Sequence, residues 1–291
     1  MNPDALALLK RREVVTTAEL LSVMTRQQLD VQVRKGGLTR VWRGVYSLRE
    51  PDLMMRLQGL DLLIGGHAVA CLHTAAELYG FGAVNDRAVH VLDPGSRLRP
   101  SAGLVVHQRP GAPTTLVGSR HATAPAWTAI ELARQVSRPR ALGTLDAAVR
   151  SGWCAIDDLQ AALDRQRARR GVVAVRGLLP LVDPRAESVM ESEARLVMFD
   201  HGLPRPELQY LISGRHGERW RVDFAWPAAR VAAEYDSVEW HSGRAEMLRD
   251  KVRFAGIQEV GWTVVPIVVD DVRRRPGRMC ERIASHLSRA A

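Results

Sequence analysis

The chain has 291 residues, of which 46% are hydrophobic, and this length predicts two or three folded domains. The net charge of +9 and the sequence pI of about 10.3 favour an anionic partner, usually nucleic acid; the alternative is a basic surface without a partner. Three scattered cysteines exclude a disulfide framework and a paired-cysteine zinc site, which fits a reducing cytoplasm. No apolar run is long enough for a signal peptide or a membrane span.

Residues 1–50 predict a winged helix, in which two short helices are followed by a β-hairpin. The second helix begins after Thr25, with Gln28 as the capping-box partner three residues later. Leu29 and Val33 lie four residues apart on this helix and are expected to pack inward. A glycine pair ends the helix, and the sequence LTRVWRGVYSL then alternates like two strands joined by a turn.

Polar and basic side chains on the second helix and the hairpin form a candidate DNA-binding surface. Glutamine is suited to reading base edges, and the candidates are Gln27, Gln28 and Gln32. Arginine and lysine bind phosphates, and the candidates are Arg26, Arg34, Lys35, Arg40 and Arg43. Winged folds also serve as protein–protein modules, but the basic charge favours DNA.

Three pieces of this region carry a family resemblance. The sequences VVTTAELL, RKGGL and TRVWRGVYSL, within residues 10–49, resemble the N-terminal domain of AbiEi-type antitoxins from type IV toxin–antitoxin systems. The resemblance implies that the chain binds DNA and that its partners include a cognate toxin or the operator of that toxin.

Residues 51–184 predict a central scaffold of mixed α/β structure. Helices are expected over residues 65–78, 125–135, 138–150 and 156–167, and strands over 88–92 and 104–107. Four histidines lie on different elements without ligand spacing, so we expect structural or surface roles for His67, His73, His90 and His107. The sequences CLHTAAELYGFG, AVHVLDPG, TAPAWTAIELAR and LDAAVRSG resemble the central region of the same antitoxin-like proteins.

The sequence changes character near residues 183–185, which divides the chain into domains 1–50, 51–184 and 185–291. The last domain predicts a helix behind Ser188, then three strands, a helix, a strand and a final helix. This order is typical of an α/β sandwich with a mixed sheet. The expected fold class is therefore α+β multidomain.

The sequence RWRVDFAWPAARVAAEYDSVEWH, residues 219–241, predicts a β-hairpin with crowded carboxylates. Trp220, Val222 and Phe224 alternate with their neighbours and would share one face. If the chain turns at residues 228–229, Asp223 lies opposite Glu234, and two facing carboxylates repel.

A hard divalent cation removes such repulsion. We therefore expect Mg²⁺ or Mn²⁺ at Asp223, Glu234 and Asp236, the last of which points the same way as Glu234. The other interpretation is that these are surface carboxylates paired with arginines.

Seven pieces carry a second resemblance, over residues 187–288. They are MESEAR, HGLPRPELQ, RVDFAWP, RVAAEYD, the WH pair, DKVR and GWTVVPI, and they resemble domains related to the very-short-patch repair endonucleases of the PD-(D/E)xK superfamily. The resemblance implies a restriction-endonuclease-like fold. It makes Asp223 the metal-binding aspartate and Glu191 the helix glutamate. Glu234 matches the second acidic position of the superfamily's sequence pattern, and Asp236 matches the position two residues after it. His241 matches the histidine of the repair enzymes' WH pair.

The sequence also departs from this superfamily. Asp236 stands where most members have lysine and the repair enzymes have histidine, Ser237 replaces a glycine, and the structural zinc cysteines are absent. Two functions therefore stay open. One is a DNA-binding protein with a metal-dependent endonuclease domain, from a type IV toxin–antitoxin or DNA-defence system. The other is a non-catalytic repressor or antitoxin whose nuclease fold is inactive.

Overall fold

A computed structural model describes residues 3–82, 86–95, 98–236 and 244–289, with the backbone alone for residues 244–247. The fold is α+β with several sheets, as expected, and it divides into two compact units, Met1–Thr128 and Ala129–Ala291. The division into three domains made from the sequence stays a prediction.

The first unit begins with the predicted winged helix. Its elements are α1 (Pro3–Arg12), β1 (Val14–Thr16), α2 (Thr17–Leu21), α3 (Arg26–Arg34), β2 (Thr39–Trp42) and β3 (Val45–Ser47). The strands form an antiparallel sheet in the order β1-β3-β2. Both N-terminal capping boxes are present, at Thr16 for α2 and at Thr25 for α3, which fixes where each helix begins.

Apolar side chains between these elements form a small core. Leu29 of α3 is fully buried in it, and Val33 packs against it half-buried, as the helical spacing predicts. Gly37 ends the turn after α3 at a crowded place, because a Cβ there would lie 2.5 Å from Oε1 of Gln32. Larger residues at 37 would therefore displace the Gln32 side chain.

The rest of the first unit is a five-stranded mixed sheet with two helices. The elements are α4 (Leu53–Ile64), β4 (Val69–Ala70), α5 (Leu72–Leu78), β5 (Val89–Leu92), β6 (Leu104–His107), β7 (Thr114–Val117) and β8 (Arg120–Thr123). The strand order is β6-β5-β4-β8-β7. Both strands predicted here, now β5 and β6, are confirmed.

The helix predicted over residues 65–78 is present as α5 from Leu72 onward, but the prediction is wrong for residues 65–71. Gly65 adopts a left-handed φ of 67° and ends the preceding helix α4. This helix was not predicted from the sequence. Val69 and Ala70 then pair with β5 and β8, so the chain stays extended until α5 begins at Leu72. Ladder hydrogen bonds in the sheet outweigh the apolar helical pattern.

One core joins the wing to this sheet within the first unit. Val14 of β1 and Trp42 of β2 lie in the same buried cluster as Leu60 of α4 and Val91 of β5. The indole of Trp42 also donates to the carbonyl of Arg56 at 2.7 Å.

The second unit contains a helical part followed by a four-stranded sheet with its helices. The helical part comprises α6 (Pro125–Ala133), α7 (Arg138–Arg150), α8 (Ile156–Arg165) and α9 (Val172–Arg176), and α6 begins in the last residues of the first unit. There follow α10 (Val189–Asp200), β9 (Glu207–Ser213), β10 (Arg219–Trp226), β11 (Val231–Tyr235), α11 (Arg244–Glu259), β12 (Thr263–Ile267), α12 (Val269–Arg273) and α13 (Pro276–Arg289). The predicted order of a helix, three strands, a helix, a strand and a final helix is present from α10 onward, with one additional short helix, α12, before the last one.

The four-stranded sheet is mixed and is covered on both faces. Its order is β12-β11-β10-β9, with β11 and β12 parallel and the other pairs antiparallel. Helices α10, α12 and α13 contribute to the core on one face, and α11 packs on the other through Ile257. The predicted hairpin is present, with a 3₁₀ turn at Pro227–Ala229 between β10 and β11.

The predicted alternation of β10 holds over only part of the strand. Trp220 and Val222 pack in the cluster with Ile257, whereas Phe224 packs in the cluster on the opposite face. The neighbouring strand changes face at the same level, because Leu208 and Tyr210 of β9 also belong to opposite clusters. The pair at the change is Gln209 and Asp223, where a left-handed residue on β9 breaks the period of two.

Candidate functional site

Asp223 lies where the ladder between β10 and β11 ends. The last paired residues are Phe224 and Ala233, and the same register places Asp223 across from Glu234, as predicted. Oδ2 of Asp223 accepts a hydrogen bond from the backbone N–H of Tyr235 at 2.9 Å. The half-buried carboxylate therefore occupies the fork between two strands.

The environment of Asp223 disfavours its charge. Burial, followed by the nearby carboxylates of Glu191 and Glu234, raises the pKa of its carboxyl group to about 6, although the hydrogen bond from Tyr235 lowers it. A carboxyl group with this pKa exchanges its proton near neutral pH, which is the range that acid–base and metal chemistry use.

Glu191 is buried at the start of α10. Ser188 caps this helix by accepting the N–H of Glu191 at 3.0 Å, as the sequence predicts. Oε2 of Glu191 in turn accepts the N–H of Glu187 at 2.8 Å and the side-chain amide of Gln209 at 3.0 Å. Only 7% of Glu191 is exposed, and within the described ranges no arginine, lysine or histidine forms an ion pair with it.

Glu234 has a different partner. Both of its oxygens accept hydrogen bonds from the guanidinium of Arg253 on α11, one of them at 2.8 Å. The same guanidinium donates to the carbonyl of Arg221 at 2.6 Å. Hydrogen bonding to Glu234 raises the pKa of Arg253, so this cation is fixed beside the carboxylate cluster. The interpretation of carboxylates paired with arginines thus holds for Glu234.

Asp236 follows β11 and is exposed. Its backbone N–H donates to the carbonyl of Ile267 at 2.8 Å. A cleft of about 350 Å³ runs beside the site, and its polar lining includes Glu234, Asp236, Asp250 and Arg253. Asp236 therefore shares this cleft with Glu234.

Two further predictions concern the metal and the base. Among the described residues, no three carboxylate, histidine or cysteine side chains converge closely enough to enclose a metal ion by themselves. The metal set of Asp223, Glu234 and Asp236 stays a prediction. His241, the candidate base, lies outside the described residues, as does Ser237.

The structure adds Gln209 and Arg253 to the site, and neither residue was predicted from the sequence. Gln209 connects Glu191 with the fork, and Arg253 holds Glu234. Both lie in quoted motifs, ELQ and DKVR, but neither is near its partner in sequence. A polar glutamine inside an otherwise apolar strand was the available signal.

Most of the predicted DNA-binding residues are exposed on the winged helix. The exposed positions are Arg26, Gln27, Gln28, Arg34, Lys35, Arg40 and Arg43. They lie on α3, on β2 or at the turns that follow these elements. The structure thus provides the helix and hairpin surface that the prediction requires, and the roles of individual residues stay predictions.

Two of the three glutamines have structural contacts. Oε1 of Gln28 accepts the N–H of Thr25 at 2.8 Å, so its amide oxygen is used in the helix cap. Gln32 is half-buried beside Gly37. Gln27 is fully exposed on the first turn of α3 and keeps the freer side chain for base contacts.

The central histidines partly converge in the first unit. Nδ1 of His90 lies 2.9 Å from Nε2 of His107, and Nε2 of His90 lies 2.9 Å from Oδ2 of Asp86. Burial, followed by the charge of His90, lowers the pKa of His107 to about 4. The cluster packs β5 against β6 as a hydrogen-bonded pair, in keeping with a structural role.

None of the helices in the described residues combines the length and the apolar character needed to cross a membrane.

Comparison with known proteins identifies the class of the central region. Residues 68–181 match the family described as the AbiEi antitoxin C-terminal domain, which confirms the AbiEi-type resemblance for this part of the chain. The chain as a whole belongs to the same family as two proteins of Mycobacterium tuberculosis. These are "Uncharacterized protein Rv2248" of strain ATCC 25618 / H37Rv and "Uncharacterized protein MT2308" of strain CDC 1551 / Oshkosh. Each is 67% identical over 267 residues, covering 92% of this chain and 98% of the relative.

Proposed function

We propose that the protein binds DNA through its winged helix and hydrolyses phosphodiester bonds at a divalent-cation site around Asp223. The observation that carries the proposal is the half-buried Asp223 carboxyl group at the strand fork, whose pKa of about 6 reflects partial burial and the neighbouring carboxylates Glu191 and Glu234. The match of residues 68–181 to the antitoxin family supports a toxin–antitoxin or DNA-defence setting. A cognate toxin or its operator is then the expected partner.

Charge balance favours a cation at this place. The chain has 41 lysines and arginines. Among the described residues, Arg253 is the cation that hydrogen-bonds to a carboxylate of this cluster, and that carboxylate belongs to Glu234. Asp223 and Glu191 instead face N–H donors of the backbone and of Gln209. Buried carboxylates that are not matched by a side-chain cation cost free energy, and a divalent ion removes that cost.

The donor chemistry fits Mg²⁺ or Mn²⁺. Hard cations prefer carboxylate oxygens, and Mg²⁺ commonly takes one or two protein carboxylates together with water and substrate phosphate. Asp223 would hold the ion with Glu191 or Glu234, and Asp236 would be a further ligand from the cleft. Once bound, such an ion polarises a phosphoryl oxygen and lowers the pKa of water.

The chain's own residues would then orient and stabilise the reacting phosphate. Arg253 is a fixed positive charge beside the cleft and would stabilise negative charge that develops on a phosphodiester there, in place of the superfamily's lysine. His241 would act as the base that accepts a proton from water. Glu191 would support the carboxylate cluster from the neighbouring helix.

A second function has a specific observation in its favour. Arg253 already neutralises both oxygens of Glu234, and Asp236 replaces the usual lysine. A nuclease fold in this state would bind DNA without cutting it. The protein would then be a repressor or antitoxin, acting through the winged helix at an operator.

Cleavage of plasmid DNA separates the two functions. The full-length protein is incubated with supercoiled plasmid and Mg²⁺ or Mn²⁺, beside Asp223→Asn and the exposed control Glu281→Gln on α13. We expect nicked or linear DNA from the wild type and the control, and at least a 100-fold lower rate from Asp223→Asn, about the loss seen when one electrostatic group is removed from a site. Equal rates for the wild type and Asp223→Asn would reject the hydrolase and leave the repressor.

A further inference from the structure

Gln209 has an unusual backbone conformation in the middle of β9. Its φ of 52° lies in the left-handed region, which side chains other than glycine rarely adopt. Its neighbours pair normally, Leu208 with Phe224 and Tyr210 with Val222. The pair that should stand between them, Gln209 with Asp223, is missing from the ladder. The strand therefore departs from regular geometry at one residue, directly opposite the central carboxylate of the site.

This departure has a defined result for the side chain. The amide Nε2 of Gln209 donates to Oε2 of Glu191 at 3.0 Å, and the same side chain lies close enough to Asp223 to lower the pKa of its carboxyl group. One amide thus acts on carboxylates that come from α10 and from β10. A strained residue that persists inside a sheet is held by its surroundings, and such strain concentrates at functional sites.

We propose that Gln209 is a positioning residue, held in a strained conformation so that its amide orients the Glu191 and Asp223 carboxylates toward a shared divalent cation. This inference rests on the hydrolase proposed above and assigns the support of its cation site to Gln209.

Electrostatics agrees with the geometry. Amide N–H groups favour the ionised form of a carboxylate, and the hydrogen bond from Gln209 lowers the pKa of Asp223 against the effect of burial. The other groups that face Asp223 are Glu191 from α10, Glu234 from β11, Arg253 from α11 and the N–H of Tyr235. Gln209 is thus a neutral donor beside two acidic neighbours of Asp223, Glu191 and Glu234, which leaves the carboxylates available to a metal ion.

Two substitutions separate the strain from the amide. Gln209→Met keeps the length of the side chain and the strained backbone but removes the amide donor. Gln209→Gly removes the amide donor and also the strain, because glycine adopts positive φ without cost. The matched control is Gln160→Met, since Gln160 also donates to a single carboxylate, Asp164, at 3.1 Å on the exposed surface of α8.

The experiment measures Mn²⁺ affinity by electron paramagnetic resonance of the free ion between pH 5 and 8, together with thermal unfolding of the metal-free protein. We expect both Gln209 variants to bind Mn²⁺ at least tenfold more weakly. The pH at which binding is half-maximal should move upward, because Asp223 then holds its proton more tightly. Gln209→Gly should unfold at a temperature equal to or above that of Gln209→Met, which shows that the loss of affinity does not follow stability.

The outcomes are distinct. If the wild type binds Mn²⁺ and both Gln209 variants bind it equally well with the same pH midpoint, the positioning role is wrong and the hydrolase proposal stands. If the wild type binds no Mn²⁺, the hydrolase proposal fails and the role of Gln209 fails with it. A general structural role would lower the unfolding temperature without moving the pH midpoint, and that result also overturns the inference.

Discussion

At the scale of single residues, the most informative group is Asp223. Its carboxyl group lies at the strand fork, accepts one backbone N–H and faces two other carboxylates. The pKa of about 6, above the ordinary 3.8, means that the folded state binds the proton more tightly than the unfolded state does. This group therefore stabilises the fold fully below about pH 4, and the contribution is lost as the pH rises through 6.

The substitution Asp223→Asn tests this linkage. Asparagine keeps the acceptor for the Tyr235 N–H but carries no charge, so the variant should be more stable than the metal-free wild type above pH 6. A difference of about 1–2 kcal/mol is expected, since one pKa unit corresponds to about 1.4 kcal/mol and partial exposure reduces the effect. Chemical denaturation in the presence of a chelator between pH 4.5 and 7.5 gives the free energy of unfolding. Parallel curves for the two proteins would contradict the assignment.

Residue patterns predicted some of this site and missed the rest. The register that places Asp223 opposite Glu234 follows from a local turn, and the cap at Ser188 follows from local helix chemistry. The links from Gln209 to Glu191 and from Arg253 to Glu234 span 18 and 19 residues, and sequence spacing does not encode them. Nothing in the letters around Gln209 indicates a positive φ, because tertiary contacts impose it.

At the scale of elements, helix α10 is held in place by a buried network. The carboxylate of Asp146 on α7 accepts the N–H of Asp183 at 2.8 Å, the hydroxyl of Ser192 at 2.6 Å and the guanidinium of Arg195 at 2.6 Å. Burial raises the pKa of Asp146, whereas Arg195 and these hydrogen bonds lower it. Because Ser192 adjoins Glu191, the network fixes the helix that carries the site's buried glutamate. This support comes from α7, inside the region that matches the antitoxin family.

The second element with a testable role is the wing formed by β2 and β3. Its two exposed arginines, Arg40 and Arg43, are expected to bind phosphates. Each of the variants Arg40→Ala and Arg43→Ala should weaken binding to all sequences alike and reduce the salt slope of the binding constant by about 1. A gel shift with DNA from the region upstream of the gene, repeated at several salt concentrations, measures both the binding constant and its salt slope.

The control for the wing is Arg99→Ala, an exposed arginine elsewhere in the first unit. Point variants are preferable to deleting residues 1–50, because Val14 and Trp42 belong to a core shared with the sheet. If Arg99→Ala weakens DNA binding as much as the wing variants do, DNA contacts the basic surface without preference for the winged helix. The winged helix is then not the specific DNA-binding surface.

Fold prediction at this scale succeeded where the signal was local. The capping box at Thr25 placed α3, and a proline-containing turn placed the β10–β11 hairpin. Prediction failed over residues 65–71, where β4 consists of two residues whose extended conformation depends on distant strands β5 and β8. Two-residue strands carry too little sequence pattern to compete with an apolar helical period.

At the scale of the whole molecule, the chain carries two candidate sites, one in each compact unit. The winged helix belongs to the first unit, and the carboxylate cluster belongs to the second. The net charge of +9 suits a nucleic-acid partner for either site. In this basic protein, the Asp223 cluster places the buried Glu191 beside the half-buried carboxylates of Asp223 and Glu234.

The central claim is that this cluster takes up a divalent cation, and isothermal titration of the metal-free, full-length protein with Mn²⁺ at pH 7.5 tests it most directly. We predict saturable binding by the wild type and at least tenfold weaker binding by Asp223→Asn, with the Glu281→Gln control unchanged. Absence of saturable binding by the wild type, or equal affinity in Asp223→Asn, would contradict the claim.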